Sequence, residues 1–76
     1  LNLLNGTFMR QQAELFAARA LREAEDGDEI SRAFRLALGR SPEPGELAEC
    51  RATADEFGLP AVCLALLNSN EFLFLP

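Results

Sequence analysis

Apolar side chains recur at steps of three and four residues through most of this chain, and short runs rich in glycine, proline, asparagine and aspartate interrupt that spacing. Residues three and four apart share one face of an α-helix, so the spacing predicts helices that bury one side. No stretch alternates strictly enough between apolar and polar residues to indicate a β-strand. We therefore expect an all-α fold, a small bundle of four helices, with or without a fifth short helical turn at the C-terminal end.

The run Asp26-Gly27-Asp28 separates the first two predicted helices. The first helix begins near Phe8, and its apolar positions are Met9, Ala13, Phe16, Ala17, Ala20, Leu21 and Ala24. Asp28 is predicted to cap the second helix, and Gly39 stands where a glycine commonly ends one. The apolar stripe of this second helix is Ile30, Ala33, Phe34, Ala37 and Leu38.

Two further helices complete the predicted bundle. Pro44 suits the first position of a helix, and Glu46 is favourably placed near the positive helix end. This third helix runs to about Phe57, and its apolar positions are Leu47, Cys50, Ala54 and Phe57. After Gly58 and a proline, the almost unbroken hydrophobicity of residues 61–67 predicts a fourth helix that is buried on most sides.

The tetrapeptide Leu-Leu-Asn-Gly at residues 3–6 recurs as Leu-Leu-Asn-Ser at residues 66–69. Asn5 and Asn68 can each cap a following helical segment, with the preceding leucine forming a hydrophobic staple. In the second copy Glu71 would complete an approximate capping box. A left-handed C-cap is the alternative for Asn68. Either interpretation gives the repeat a structural role.

The length of 76 residues predicts a single helical domain covering residues 1–76. The chain opens on Leu1, without an initiator methionine and in mid-pattern, so we expect an excised fragment of a larger protein. Any export signal would then lie upstream. No apolar run approaches the roughly 20 residues that cross a bilayer, so we expect no membrane span.

The charge balance argues against nucleic acid as a partner. The formal net charge is −5, and all seven basic residues are arginines scattered among acidic residues. Binding to a phosphate backbone needs a concentrated positive surface, which this pattern does not provide.

Few side chains suit catalysis. The sequence has no histidine, lysine, tyrosine or tryptophan, so the usual general bases and Schiff-base amines are missing. The acidic run between Glu23 and Glu29 could suggest calcium, but the spacing of an EF-hand loop would place Arg22 and Ala33 at ligand positions. We expect a solvated turn there, with no catalytic, cofactor-binding or metal-binding residues in this fragment.

Cys50 and Cys63 are too far apart in the sequence for a zinc knuckle. Two buried hydrophobic thiols and a single disulfide across two helices both stay open.

The apolar chain ends form a possible interaction surface. Its residues are Leu1, Leu3, Phe72, Leu73, Phe74 and Leu75. Because such side chains are costly to leave in water, they either fold back on the core beside the first helix or dock onto another part of a larger protein.

Three segments carry a resemblance to a known family: LLNGTF at residues 3–8, RLALGRSP at 35–42 and LALLNSNEFL at 64–73. In order and spacing they resemble the planctomycete-specific C-terminal domain family, a domain of unknown function that closes large exported multidomain proteins. Phe74 departs from the tyrosine that the family pattern leads us to expect. The resemblance implies an exported parent protein, periplasmic or at the cell surface, and brings no activity with it.

Two functional hypotheses follow. The first is a non-catalytic structural or interaction domain whose partners are the upstream domains of the same protein or another protein. The second is an accessory domain that supplies Arg40, Glu71 or Asn68 to an enzymatic or redox site upstream. In both, the chain itself takes no cofactor and no evident small-molecule ligand.

Overall fold

The computed structural model describes residues 6–25 and 27–69. Within these ranges the chain forms four α-helices and no strand. The helices are α1 (Gly6–Glu23), α2 (Glu29–Leu38), α3 (Pro44–Phe57) and α4 (Leu59–Leu67). The predicted all-α class and the bundle of four helices are confirmed. The predicted fifth helical turn lies outside the described residues.

Helices α2 and α4 form the centre of the bundle, because each of them contacts all three other helices. Helices α1 and α3 lie against this central pair. The buried core is contributed by α1, α2 and α4, and its members are Ala13, Ala17, Ala20, Ile30, Ala33, Phe34, Ala37, Val62, Cys63 and Leu66. Helix α3 adds only partly buried residues, Leu47, Cys50 and Ala54.

Small side chains dominate this core. Half of the ten buried residues in the described part are alanines, and two of them, Ala20 and Ala33, have no exposed surface. The distance between two packed helices depends on the side chains at their contact, within about 8–10 Å. An alanine-lined contact therefore holds α1 close to its neighbours and leaves little room for larger side chains between them.

Two glycines end helices as the sequence predicts. Gly39 adopts a left-handed conformation with φ of 73°, and its N–H donates to the Arg35 carbonyl at 3.1 Å. Gly58 has φ of 95° and ψ of 159°, a region that is essentially restricted to glycine, and its N–H donates to the Ala54 carbonyl at 2.8 Å. The chain passes through Gly58 directly into α4, which begins at Leu59, one residue before Pro60, the residue predicted to open this helix.

Asp28 takes the predicted N-cap position of α2, but its side chain makes no capping hydrogen bond. The N-terminus of this helix is therefore not stabilised in the predicted way.

Two apolar residues assigned to packed faces are exposed. Leu21 is 59% exposed, because the next residue along a helix is rotated by about 100° and the buried stripe of α1 passes through Ala20. Phe57 is 69% exposed at the last position of α3, a helix that buries none of its residues completely. Both predictions of a buried position were wrong.

Asn68 lies at the C-cap of α4, which confirms the position given by the alternative interpretation, but its φ of −94° and ψ of 0° show that the expected left-handed conformation was wrong. Its Nδ2 donates to the Leu64 carbonyl at 3.0 Å, and its N–H donates to the same carbonyl at 3.1 Å. The side chain thus satisfies a carbonyl at the end of the helix. Asn5 and the segment that Asn68 was predicted to launch lie outside the described residues.

Candidate functional site

The residues predicted to form an interaction surface all lie outside the described residues. They are Leu1, Leu3, Phe72, Leu73, Phe74 and Leu75. Glu71, one of three residues in the alternative hypothesis, also lies outside. The other two, Arg40 and Asn68, are described, and both make hydrogen bonds within the chain.

The best-defined polar arrangement is the ion pair of Arg40 and Glu46, which we call the α2–α3 clamp. Arg40 Nη1 donates to Glu46 Oε1 at 2.8 Å, and Nη2 donates to Oε2 at 2.9 Å. This parallel, two-bond geometry is the strong form of an arginine–carboxylate pair. It joins the loop after α2 to the first turn of α3.

Two neighbours fix the clamp in place. The guanidinium carbon of Arg40 lies 5.6 Å from the centre of the buried Phe34 ring, a distance at which a cation is attracted to an aromatic face. The backbone N–H of Glu43 donates to Glu46 Oε1 at 2.9 Å, which is one half of a capping box at the start of α3. The clamp therefore anchors the α2–α3 loop to the core and to α3.

The environment of Glu46 favours its charged form. The hydrogen bonds from Arg40, and then the one from the Glu43 backbone, lower the pKa of Glu46 from 4.5 to about 2. At neutral pH the carboxylate is ionised and held by three donors. Its oxygens serve the local fold, and this arrangement does not resemble a general base tuned to work near neutral pH.

We expect the free energy of unfolding to decrease as the pH is lowered through the window set by the pKa of Glu46. Because the folded pKa of about 2 lies below the ordinary value of 4.5, the contribution of this group is complete above pH 4.5 and is lost as pH falls toward 2. Urea unfolding of the wild type and of Glu46→Gln, compared from pH 7 to pH 2, should show a difference in midpoint that shrinks through this window.

The matched control for this measurement is Glu49→Gln, at an exposed position of the same helix. Its difference from the wild type should vary less with pH than that of Glu46→Gln. A difference for Glu46→Gln that stays constant from pH 7 to pH 2 would contradict the assignment.

Two other ion pairs in the described part are made through single contacts. Arg51 on α3 approaches Glu29 on α2 at 3.4 Å, and Arg19 contacts Glu23 one turn further along α1 at 2.8 Å. The Arg19 hydrogen bond lowers the pKa of Glu23. Ion pairs that are partly exposed to solvent contribute little to stability, and the two-bond geometry of the clamp distinguishes it from these single contacts.

The two cysteines are free thiols, Cys50 half-buried on α3 and Cys63 buried on α4. Burial raises the pKa of both thiols, that of Cys63 to about 11. A thiol with a raised pKa is mostly protonated at neutral pH and is a poor nucleophile. Both side chains pack as small hydrophobes, in line with one of the two interpretations of the sequence.

A polar cleft of about 260 Å³ opens beside the N-terminal half of α2. Its lining residues are Ala24, Glu25, Asp28, Ser31, Arg32, Arg35 and Ser41. The lining contains two carboxylates and two guanidinium groups, so their formal charges balance.

An apolar groove of about 290 Å³ lies where α1, α2 and the end of α4 meet; we call it the α1–α2–α4 groove. Its lining residues are Gln12, Leu15, Phe16, Arg19, Leu36 and Leu67. Leu15 is 65% exposed at its edge. Leu15 and Leu36 lie outside the apolar faces that the sequence predicts for α1 and α2. The signal that could have revealed Leu15 is a leucine on the otherwise polar side of α1.

Large exposed apolar side chains are a second feature of the surface. Besides Leu15, both Leu21 on α1 and Phe57 on α3 expose more than half of their area. Isolated apolar residues on a surface are common, but this bundle has few side chains of that size in its core. These three residues are the candidate contact residues of the described part.

Residues 6–25 and 27–69 contain no candidate metal site and no candidate membrane-spanning helix. No three cysteine, aspartate or glutamate side chains are grouped so that they could hold a metal ion. No described helix has the length and apolar character needed to cross a membrane.

The fold and these contacts define a small four-helix domain whose loop between α2 and α3 is fixed by an ion-pair clamp. Residues 1–54 match the family model described as PSD1, protein of unknown function (DUF1553), and the chain belongs to that family. Its expected membership in a family of unknown function is thus confirmed. No curated protein and no solved structure matches the chain.

Proposed function

We propose that this chain is a non-catalytic structural or interaction domain within a larger exported or cell-surface bacterial protein. Its partners are the upstream domains of that protein or another protein. The observation that carries the proposal is the exposure of Leu21 and Phe57, two large apolar side chains, on a bundle with an alanine-rich core. The burial of exposed apolar side chains by a partner removes them from water and lowers the free energy of the complex.

The polar groups support the same proposal. Arg40 and Glu46 bind each other through two hydrogen bonds, and the amide nitrogen of Asn68 donates to a carbonyl of its own helix. The buried thiol of Cys63 has a raised pKa. The groups best suited to chemistry are thus engaged in stabilising the fold or are buried, which favours a structural role over an accessory role in catalysis.

Hydroxyl-radical footprinting of the isolated chain and of the full-length parent protein tests this proposal without any substitution. Phe57 and Leu21 should be oxidised rapidly in the isolated chain, because they are exposed, and slowly in the parent, because a partner domain covers them. Phe34, which is 3% exposed, is the internal control and should react slowly in both.

Two outcomes would contradict the proposal. One is equally rapid oxidation of Phe57 and Leu21 in the isolated chain and in the parent. The other is loss of an activity of the parent in Asn68→Ala while the circular dichroism spectrum and thermal midpoint are retained, since a domain without a catalytic role should not produce that result.

A further inference from the structure

The α1–α2–α4 groove is lined by four apolar side chains and by the polar side chains of Gln12 and Arg19. On α1 it extends from Gln12 to Arg19, and the seven steps between these residues correspond to about 10 Å at 1.5 Å per residue. A closed apolar cavity of about 150 Å³ is known to accept one benzene ring, so a groove of about 290 Å³ has the volume for about two.

The end of α4 leads the chain to this groove. Leu67, the last residue of α4, lines the groove. Two residues later, the backbone N–H of Ser69 donates to the Leu66 carbonyl at 3.2 Å. Ser69 Oγ is buried and has no hydrogen-bond partner in the described part of the chain. The chain therefore remains packed against the bundle as far as Ser69.

We propose that residues 72–75 of this same chain, Phe-Leu-Phe-Leu, occupy the α1–α2–α4 groove. Only four residues separate Leu67 from Phe72, a connection of at most about 18 Å, so this segment can reach the whole groove. Phe72 and Phe74 are the two aromatic side chains of this segment.

Charge and connectivity favour this occupant over a second copy of the chain. A second copy would bring its own net charge of −5 and would meet repulsion. A tethered segment also acts at a high effective concentration, which a free partner reaches only in concentrated solution. Contact with other domains then depends on Leu21 and Phe57.

A double-mutant cycle on the full 76-residue chain tests the proposal. Leu15→Ala should lower the urea midpoint in the wild-type background and should have almost no effect in the Phe74→Ala background, because the contact is already lost there. Leu21→Ala is the matched control, since it removes a similarly exposed leucine from the same helix outside the groove. Its effect should be the same in both backgrounds.

Nuclear Overhauser contacts in the wild-type chain provide a second measurement that does not depend on the stability of variants. The ring protons of Phe72 and Phe74 should contact the methyl groups of Leu15, Leu36 and Leu67. Additive effects of Leu15→Ala and Phe74→Ala, together with the absence of these contacts, would overturn the proposal. Coupling that appears only at high protein concentration would also overturn it and would identify a second copy as the occupant.

Discussion

Replacing Ala20 with leucine should lower the free energy of unfolding by about 1–3 kcal/mol, the usual cost of adding methylene groups to a tightly packed core. Ala20 has no exposed surface and lies on the stripe of α1 that faces the other helices. For a domain of this size each kcal/mol corresponds to roughly 4–8 °C in the thermal midpoint. Differential scanning calorimetry or circular dichroism melting would measure the effect.

Ala18→Leu is the matched control for this substitution. Ala18 is exposed on the same helix, two residues earlier, and alanine and leucine have similar helix propensities. Its effect should stay within about 0.5 kcal/mol, as is usual for surface substitutions. If Ala18→Leu and Ala20→Leu changed the midpoint equally, close packing of α1 against the core could not be the reason for the loss.

Gly58→Ala should destabilise the domain by about 1–3 kcal/mol, because φ of 95° with ψ of 159° is strained for any residue with a β-carbon. A β-carbon built at this position would meet the nearest atom, Pro60 Cδ, at 3.6 Å, which is ordinary van der Waals contact. The cost would therefore come from the backbone conformation and not from a steric clash with neighbours. Chemical denaturation would report it as a lower midpoint with an unchanged slope.

Gly45→Ala provides the comparison of opposite sign. Gly45 lies in the first turn of α3, and a β-carbon there would have no neighbouring atom within 4 Å. Alanine should stabilise this position by roughly 0.5–1 kcal/mol, since it restricts the unfolded chain and suits a helix. Destabilisation by both alanine substitutions would mean that the two glycines are required for some reason other than backbone geometry.

The ends of the helices followed from local chemistry. Gly39 and Gly58 end α2 and α3 because each adopts a backbone conformation that glycine tolerates, and Pro44 begins α3 because its missing N–H costs nothing there. Such signals act over a few residues, so they can be read without knowing the tertiary structure. The start of α4 was harder to predict than the other helix ends. The helix begins at Leu59, directly after Gly58, so the proline that indicates a helix start occupies its second position.

The width of a buried helix face is not a local property. The spacing of three and four residues placed Leu21 on the same face as the alanines of α1, but only the arrangement of the neighbouring helices decides how far around α1 the burial extends. The exposure of Phe57 has the same origin, since it depends on how α3 lies against α2 and α4.

The candidate sites were predictable only in part for a related reason. Arg40 and Glu46 are six residues apart, and the loop between them brings the two charges together, whereas the sequence alone had indicated for Glu46 only an interaction with the helix end. The α1–α2–α4 groove combines residues from three helices, among them Leu15, Leu36 and Leu67. No periodicity within one helix reports such a combination.

An interior lined with methyl groups also limits where bulky side chains can go. Because five of the ten buried residues in the described part are alanines, this core offers little room for side chains as large as those of Leu21 and Phe57. Substitutions that move the helices apart and enclose these two residues would bury more apolar surface within the domain. They would at the same time remove the exposed apolar side chains from its surface. Under the proposed function, the contact surface of this domain is therefore a consequence of the small side chains in its interior.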